Sequence, residues 1–191
     1  MQALDRVLAS LAENGLLLKQ DKELSSVVGL VTGESLRTSW WSHPKGRLIF
    51  AVLSELAEHP DVLSTKLLRK KDTLVHRRLW PALLAVGRAR AGWQTEGLSR
   101  EAGRLLDRVE SGEAVHATGA PVKELEKRLL VTTRQVHTAS GRHEIALESW
   151  KEWSRRTGCR PLESVPRAKK LTEDAAVRLG APVEALPWRG E

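Results

Sequence analysis

The side chains best equipped for chemistry are concentrated in one run, Ser39-Trp40-Trp41-Ser42-His43-Pro44-Lys45-Gly46. Each indole offers a large apolar face and a single N–H that seeks an acceptor. Beside them stand hydroxyls, an imidazole and an ammonium. Such a box is either a rigid corner of a core or a platform for a ligand with a flat ring. A second concentration is cationic: residues 61–98 hold eight Lys/Arg against three Asp/Glu, so most of the chain's net charge of +7 sits there. With Leu68 paired to Thr73 across the loop Arg69-Lys70-Lys71-Asp72, Lys66 and Arg77 fall on one face of a hairpin, and Arg69, Lys70 and Lys71 extend its charge. If His43 and Lys45 approach this face, the cluster suits phosphates while Trp40 or Trp41 stacks a base. The alternative is that the two Trp residues plug the core and the cations are solvated. A third group lies further on. Lys123, Lys127 and Arg128 fall on a helix, and Arg134 and Arg142 on the hairpin after it. They are placed to meet phosphates or base edges, although Glu124 and Glu126 share that helix and would repel a nucleic-acid backbone.

Acid–base chemistry has thinner support. A two-residue turn at Ser140-Gly141 and a four-residue loop share one centre, and both set His137 opposite Glu144, with Thr133, Gln135 and Glu148 on the same face. That pair could orient a proton acceptor or be an ordinary cross-strand pair. His43 is the other candidate proton carrier, while His76 is expected to be buried beside Leu63, Leu67 and Leu74. No catalytic residue is assigned. The histidines lie at no ligand spacing, so no metal site is expected. The lone Cys159 excludes an internal disulfide, and although Arg155, Arg156 and Arg160 are near in sequence, it reads as incidental. No Gly-rich phosphate loop, nucleophile elbow or zinc-protease motif is present, and no cofactor is implied.

The elements that must position these residues follow from periodicity. Helical spacing marks 3–18, 24–31, 46–58 and 81–91, and strands are expected at Val62–Leu68 and Thr73–Leu79. The connector Arg90–Gly97 is the candidate boundary. Beyond it Ser99 caps a helix, Pro121 opens another that runs to about Leu130, and strands follow near 131–138 and 143–149. After Gly158 the chain reads as an extended linker, with Thr172 capping a small helix to Leu179. The expected fold is α+β, mostly helical with two β-hairpins: 1–92 a helical domain carrying the Trp box, 98–157 a winged-helix-like domain, and 158–191 the linker and last helix. One helix of the usual winged-helix core has too little room between 112 and 120. A mean hydropathy of −0.33 and the lack of a long apolar run argue against a membrane span. The opening Met1-Gln2-Ala3-Leu4-Asp5-Arg6 does not read as a secretion signal, so a cytoplasmic location is expected.

The Ser39–Gly46 run, together with Asp61-Val62-Leu63, Lys66-Leu67, His76-Arg77-Arg78-Leu79-Trp80-Pro81 and Gln135-Val136-His137-Thr138, resembles a largely uncharacterised bacterial family that carries this box. More distantly, the winged-helix pattern is similar to the alkylpurine DNA glycosylases. The first likeness spans most of 25–155. The glycosylases use Gln-x-Gln or Gln-x-Asp, from which Gln135-Val136-His137 departs, so the resemblance carries over no catalytic residue. It implies DNA binding. The leading expectation is therefore a nucleic-acid-binding protein whose cations fix the backbone and whose Trp box supplies stacking. A glycosylase-like DNA-repair enzyme and a protein-docking module are the alternatives.

Overall fold

Leu4, Val7, Leu8 and Leu11 put one apolar stripe on the first helix, α1 (Gln2–Asn14), with Val7 and Leu11 fully buried. The computed structural model describes residues 2–137 and 143–189. A left-handed Gly15 turns the chain into β1 (Leu16–Leu18). Then come α2 (Val27–Thr32), capped by the Ser26 hydroxyl and closed by left-handed Gly33, a 3-10 turn at Trp40–Ser42, and α3 (Gly46–Glu58). Next are β2 (Val62–Lys66), β3 (Asp72–His76), α4 (Trp80–Gly87) and the single turn α5 (Gly92–Thr95). The second half runs α6 (Arg100–Glu110), β4 (Val115–His116), α7 (Ala120–Lys127), β5 (Val131–His137), β6 (His143–Ser149), α8 (Trp150–Thr157) and α9 (Val165–Arg178). The class is α+β, mostly helical. Each expected hairpin gains a third short strand, and both sheets have the same order of first, third, second: β1-β3-β2 and β4-β6-β5. No helix among the described residues is long and apolar enough to cross a membrane.

Both hairpin registers differ from the expected ones. In the first, Lys66 stands opposite Asp72 and Thr65 opposite Thr73. The tip runs through 67–71, closed by the buried Thr73 hydroxyl, which accepts from Leu68 N and donates to Lys71 O. Leu68 therefore belongs to the turn rather than to the strand. The displacement is odd, so it exchanges faces: Leu63, Thr65, Thr73 and Val75 form one buried face, and His76 sits half-buried opposite Val62. In the second hairpin His137 stands opposite His143, and Glu144 opposite Val136. The connection of 138–142 has an odd length, whereas both turns considered from the sequence were even, so the expected His137–Glu144 pairing does not form.

Two apolar clusters result. The larger gathers α1 to α4 and the first sheet, and it also takes Trp150, Trp153, Ala168, Ala175, Ala176 and Trp188. The smaller joins α6, α7 and the second sheet through Leu106, Val109, Val122, Leu125 and Leu147. The segment after Gly158 is more than an extended linker. Ser164 caps α9, Thr172 is buried inside it and donates to Ala168 O, and the helix packs on α4. Its buried face is built largely of alanines, which give little periodic signal. The connector between the halves is packed too. Gln94, fully buried, donates to the carbonyls of Gly87, Arg128 and Leu129. Trp150 Nε1 donates to Leu129 O at 2.7 Å.

Candidate nucleic-acid interface

The Trp box divides its two indoles between core and surface. Pro44 and Gly46 end the 3-10 turn tightly against α3, where a Cβ on Gly46 would lie 3.2 Å from Trp41 O. Trp40 is driven into the larger core and is 6% exposed, whereas Trp41 lies over it, ring centroids 4.1 Å apart, and is 68% exposed. Phe50, one turn into α3, packs beside Trp41 and is itself mostly exposed, and Leu48 is exposed as well at 44%. His43 and Lys45 serve this corner and do not approach the hairpin. His43 Nε2 meets Glu34 Oε1 at 3.1 Å, and its Nδ1 accepts from Lys45 N. Lys45 Nζ donates to Thr32 O and Val31 O, carbonyls left open at the end of α2.

The first hairpin's cations are mostly spent on neighbouring carboxylates. Lys66 pairs with Asp72, and Arg77, lying beyond β3, reaches Asp61 at 3.0 Å. The expected diagonal Lys66–Arg77 cluster is absent because the register separates them. Asp21 was not singled out from the sequence, yet it organises the tip. Its side chain is fully buried, accepts from the N–H groups of Glu23 and Leu24, and meets Lys71 Nζ at 2.7 Å. Burial alone would push this carboxyl up. The Lys71 bond and the two N–H donors outweigh it and hold the pKa at about 2. Arg69 turns to Glu23 at 2.9 Å, so of the three tip cations only Lys70 has no partner among the described residues.

The second cationic group is sorted differently. Glu124 accepts from both the hydroxyl and the backbone N–H of Ser99, and Glu126 accepts from the Thr133 hydroxyl. The Ser99 bond holds the Glu124 carboxyl below its ordinary range. Arg128 is a strap: its guanidinium donates to the carbonyls of Trp93, Gln94, Glu96 and Gly97 and lies 3.7 Å from Glu124. Lys123, Lys127 and Arg134 stay exposed, and no partner holds them among the described residues. Arg142 lies outside the described residues.

Other candidates are settled locally. Burial, then the charge of Arg78, lowers the pKa of His76, which is half-buried rather than enclosed among leucines. Burial raises the Cys159 thiol, and Arg155 and Arg156 pair with Glu152 and Glu148 instead of activating it. Among the described residues no group of three or more His, Cys, Asp or Glu is arranged to hold a metal ion. Comparison with models of known protein families, with curated proteins and with solved structures finds no match.

Proposed function

We propose that this chain binds nucleic acid, DNA in the first instance, through two winged-helix-like modules. The charge sorting on α7 carries the reading. Its two carboxylates are turned to Ser99, Arg128 and Thr133, while Lys123 and Lys127, one turn apart, and Arg134 of the adjoining strand are exposed and have no partner among the described residues. Arg128 offsets the charge of Glu124 at 3.7 Å, and the exposed Lys123 and Lys127 outnumber the remaining carboxylate, Glu126, which keeps its charge on this helix. A helix set directly before an antiparallel hairpin, in a sheet of order first-third-second, supports the winged-helix-like reading. That order occurs in both sheets, and the first half has the additional helix, α2, that the second lacks. In the first half the equivalent of α7 is α3, and the exposed Trp41 at its start offers a base an aromatic face.

The cations fix the backbone and Trp41 contributes stacking, so binding is salt-dependent and tolerant of sequence. Replacing Lys123 and Arg134 by Glu tests the reading. Fluorescence anisotropy with a labelled duplex and a labelled single strand should show a large loss of affinity with the fold retained. Affinity equal to that of the unaltered protein contradicts it.

The exposed aromatic pair Trp41 and Phe50, with Leu48 also exposed on α3, supports a second reading, protein docking. That reading predicts that Trp41→Ala abolishes partner capture and that the chain has no salt-sensitive affinity for nucleic acid. Catalysis at the box has weaker support, since both ring nitrogens of His43 are already engaged.

A further inference from the structure

The tip of the first hairpin faces a cleft of about 430 Å³ shared with the second half. Lys70 lines one side. Lys127 and Arg128 at the end of α7, with Glu124, line another, and Gly92, Trp93, Glu96 and Pro187 complete it. Arg128 and Glu124 are engaged in the contacts described above. Glu96 folds back over α5, since a Cβ on Gly92 would lie 2.6 Å from its Oε1. The cations left without partners among the described residues are Lys70 and Lys127.

Two features mark the cleft as more than a gap between modules. Arg69 and Lys70 both have positive φ, 52° and 55°, in the left-handed region that residues with a Cβ adopt at a cost. The Arg69–Glu23 and Lys71–Asp21 pairs hold the residues flanking Lys70. The turn thus has its two flanking cations committed to carboxylates, and Lys70, at the cleft, has no partner among the described residues. The second feature is Trp93. Its Nε1 is buried and has no hydrogen-bond partner among the described residues, whereas Trp80, Trp150 and Trp188 each donate to a named acceptor. Two lysines without partners among the described residues, lining one cleft with an indole whose N–H is unsatisfied, are a set that matches an anion rich in acceptor oxygens.

We propose that this cleft is a phosphate site in which Lys70 and Lys127, supplied by different modules, take one phosphate of a nucleic-acid backbone. The inference rests on the nucleic-acid reading and extends it: one strand would run from the face of α7 into the tip of the first hairpin. Asp21 then acts as a positioning residue, holding the turn that presents Lys70. A free phosphate shares the same chemistry, so the test must separate the two sources.

The experiment uses the full chain and Lys70→Gln, a substitution outside the α7 face. Affinity for a labelled single strand and duplex is followed between about 50 and 200 mM salt, where one phosphate contact contributes close to one unit of log–log slope. In parallel, the Trp93 indole N–H resonance, assigned with Trp93→Phe, is followed during addition of inorganic phosphate or oligonucleotide. The expected result is a slope lower by about one in Lys70→Gln, and a Trp93 resonance that moves with oligonucleotide in the unaltered protein but not in the variant. If Lys70→Gln keeps the full slope while Lys123→Glu with Arg134→Glu loses binding, the cleft proposal is overturned and the nucleic-acid reading survives. If inorganic phosphate moves the Trp93 resonance but no oligonucleotide binds, the backbone assignment is overturned together with the nucleic-acid reading. If neither ligand moves it, the cleft is no phosphate site.

Discussion

Asp21→Asn is the most informative single change to the fold, because one buried carboxylate organises the hairpin tip. The native group is held at a pKa of about 2, against an ordinary value of 3.8. Each pH unit of displacement corresponds to about 1.36 kcal/mol, so the charge contributes roughly 2 kcal/mol, with some allowance for Lys71 being half-exposed. Asn keeps an oxygen for the N–H groups of Glu23 and Leu24 but leaves Lys71 without its anion, while Arg69 keeps Glu23. The folded pKa is depressed, so the stabilisation is fully present above about pH 4 and is lost as pH falls toward 2. Urea unfolding followed by circular dichroism, on both proteins at neutral and acid pH, measures it. The variant should be less stable by roughly 2 kcal/mol at pH 7 and nearly equal to the native protein at about pH 2. A difference that stays constant across that range would refute the electrostatic account and leave only lost packing.

Gly87→Ala should destabilise by roughly 2 to 3 kcal/mol, since a Cβ there would lie 2.4 Å from the Trp150 ring at the seam of the two halves; thermal unfolding should show a melting point lower by at least about 5 °C. Trp40→Ala should cost about 3 to 5 kcal/mol, whereas Trp41→Ala, losing only the exposed partner of the stack, should cost about 1 kcal/mol or less; equal losses in chemical denaturation would contradict the division of the box. Glu173→Gln should lose roughly 2 kcal/mol at neutral pH, because Arg189 and Trp188 Nε1 both donate to this buried carboxylate and the Arg189 bond lowers its pKa. That contribution is present above the ordinary value of 4.5 and fades below it, so urea midpoints of the two proteins should converge on acidification.

Periodicity made the helices legible wherever leucine, isoleucine and valine mark a stripe, as in α1, α3 and α6. It failed at α9, whose buried face is largely alanine, and at β1 and β4, whose two or three residues are too few to show alternation. Register was the larger loss. Nothing local shows that Thr73 closes the first tip with its hydroxyl, or that Leu68 belongs to the turn. Because register decides faces, the Lys66–Arg77 cluster was lost with it. The candidate cations were visible as residue types, but which of them stay free depends on long-range partners. Asp21 lies 50 positions from Lys71 and Ser99 lies 25 from Glu124. No spacing rule reaches that far. The Trp box was visible as a feature, and its split into one buried and one exposed indole needed the packing of α3.

The central claim is salt-sensitive binding of nucleic acid, and the direct measurement is anisotropy of a labelled duplex and a labelled single strand titrated with this protein across a series of salt concentrations. The cations on α7, β5 and the first hairpin tip that have no partner among the described residues predict a steep loss of affinity, with a log–log slope of about −2 or steeper. Binding that does not change with salt, or no binding at the lowest salt, would contradict the account and turn attention to a protein partner at Trp41, Leu48 and Phe50.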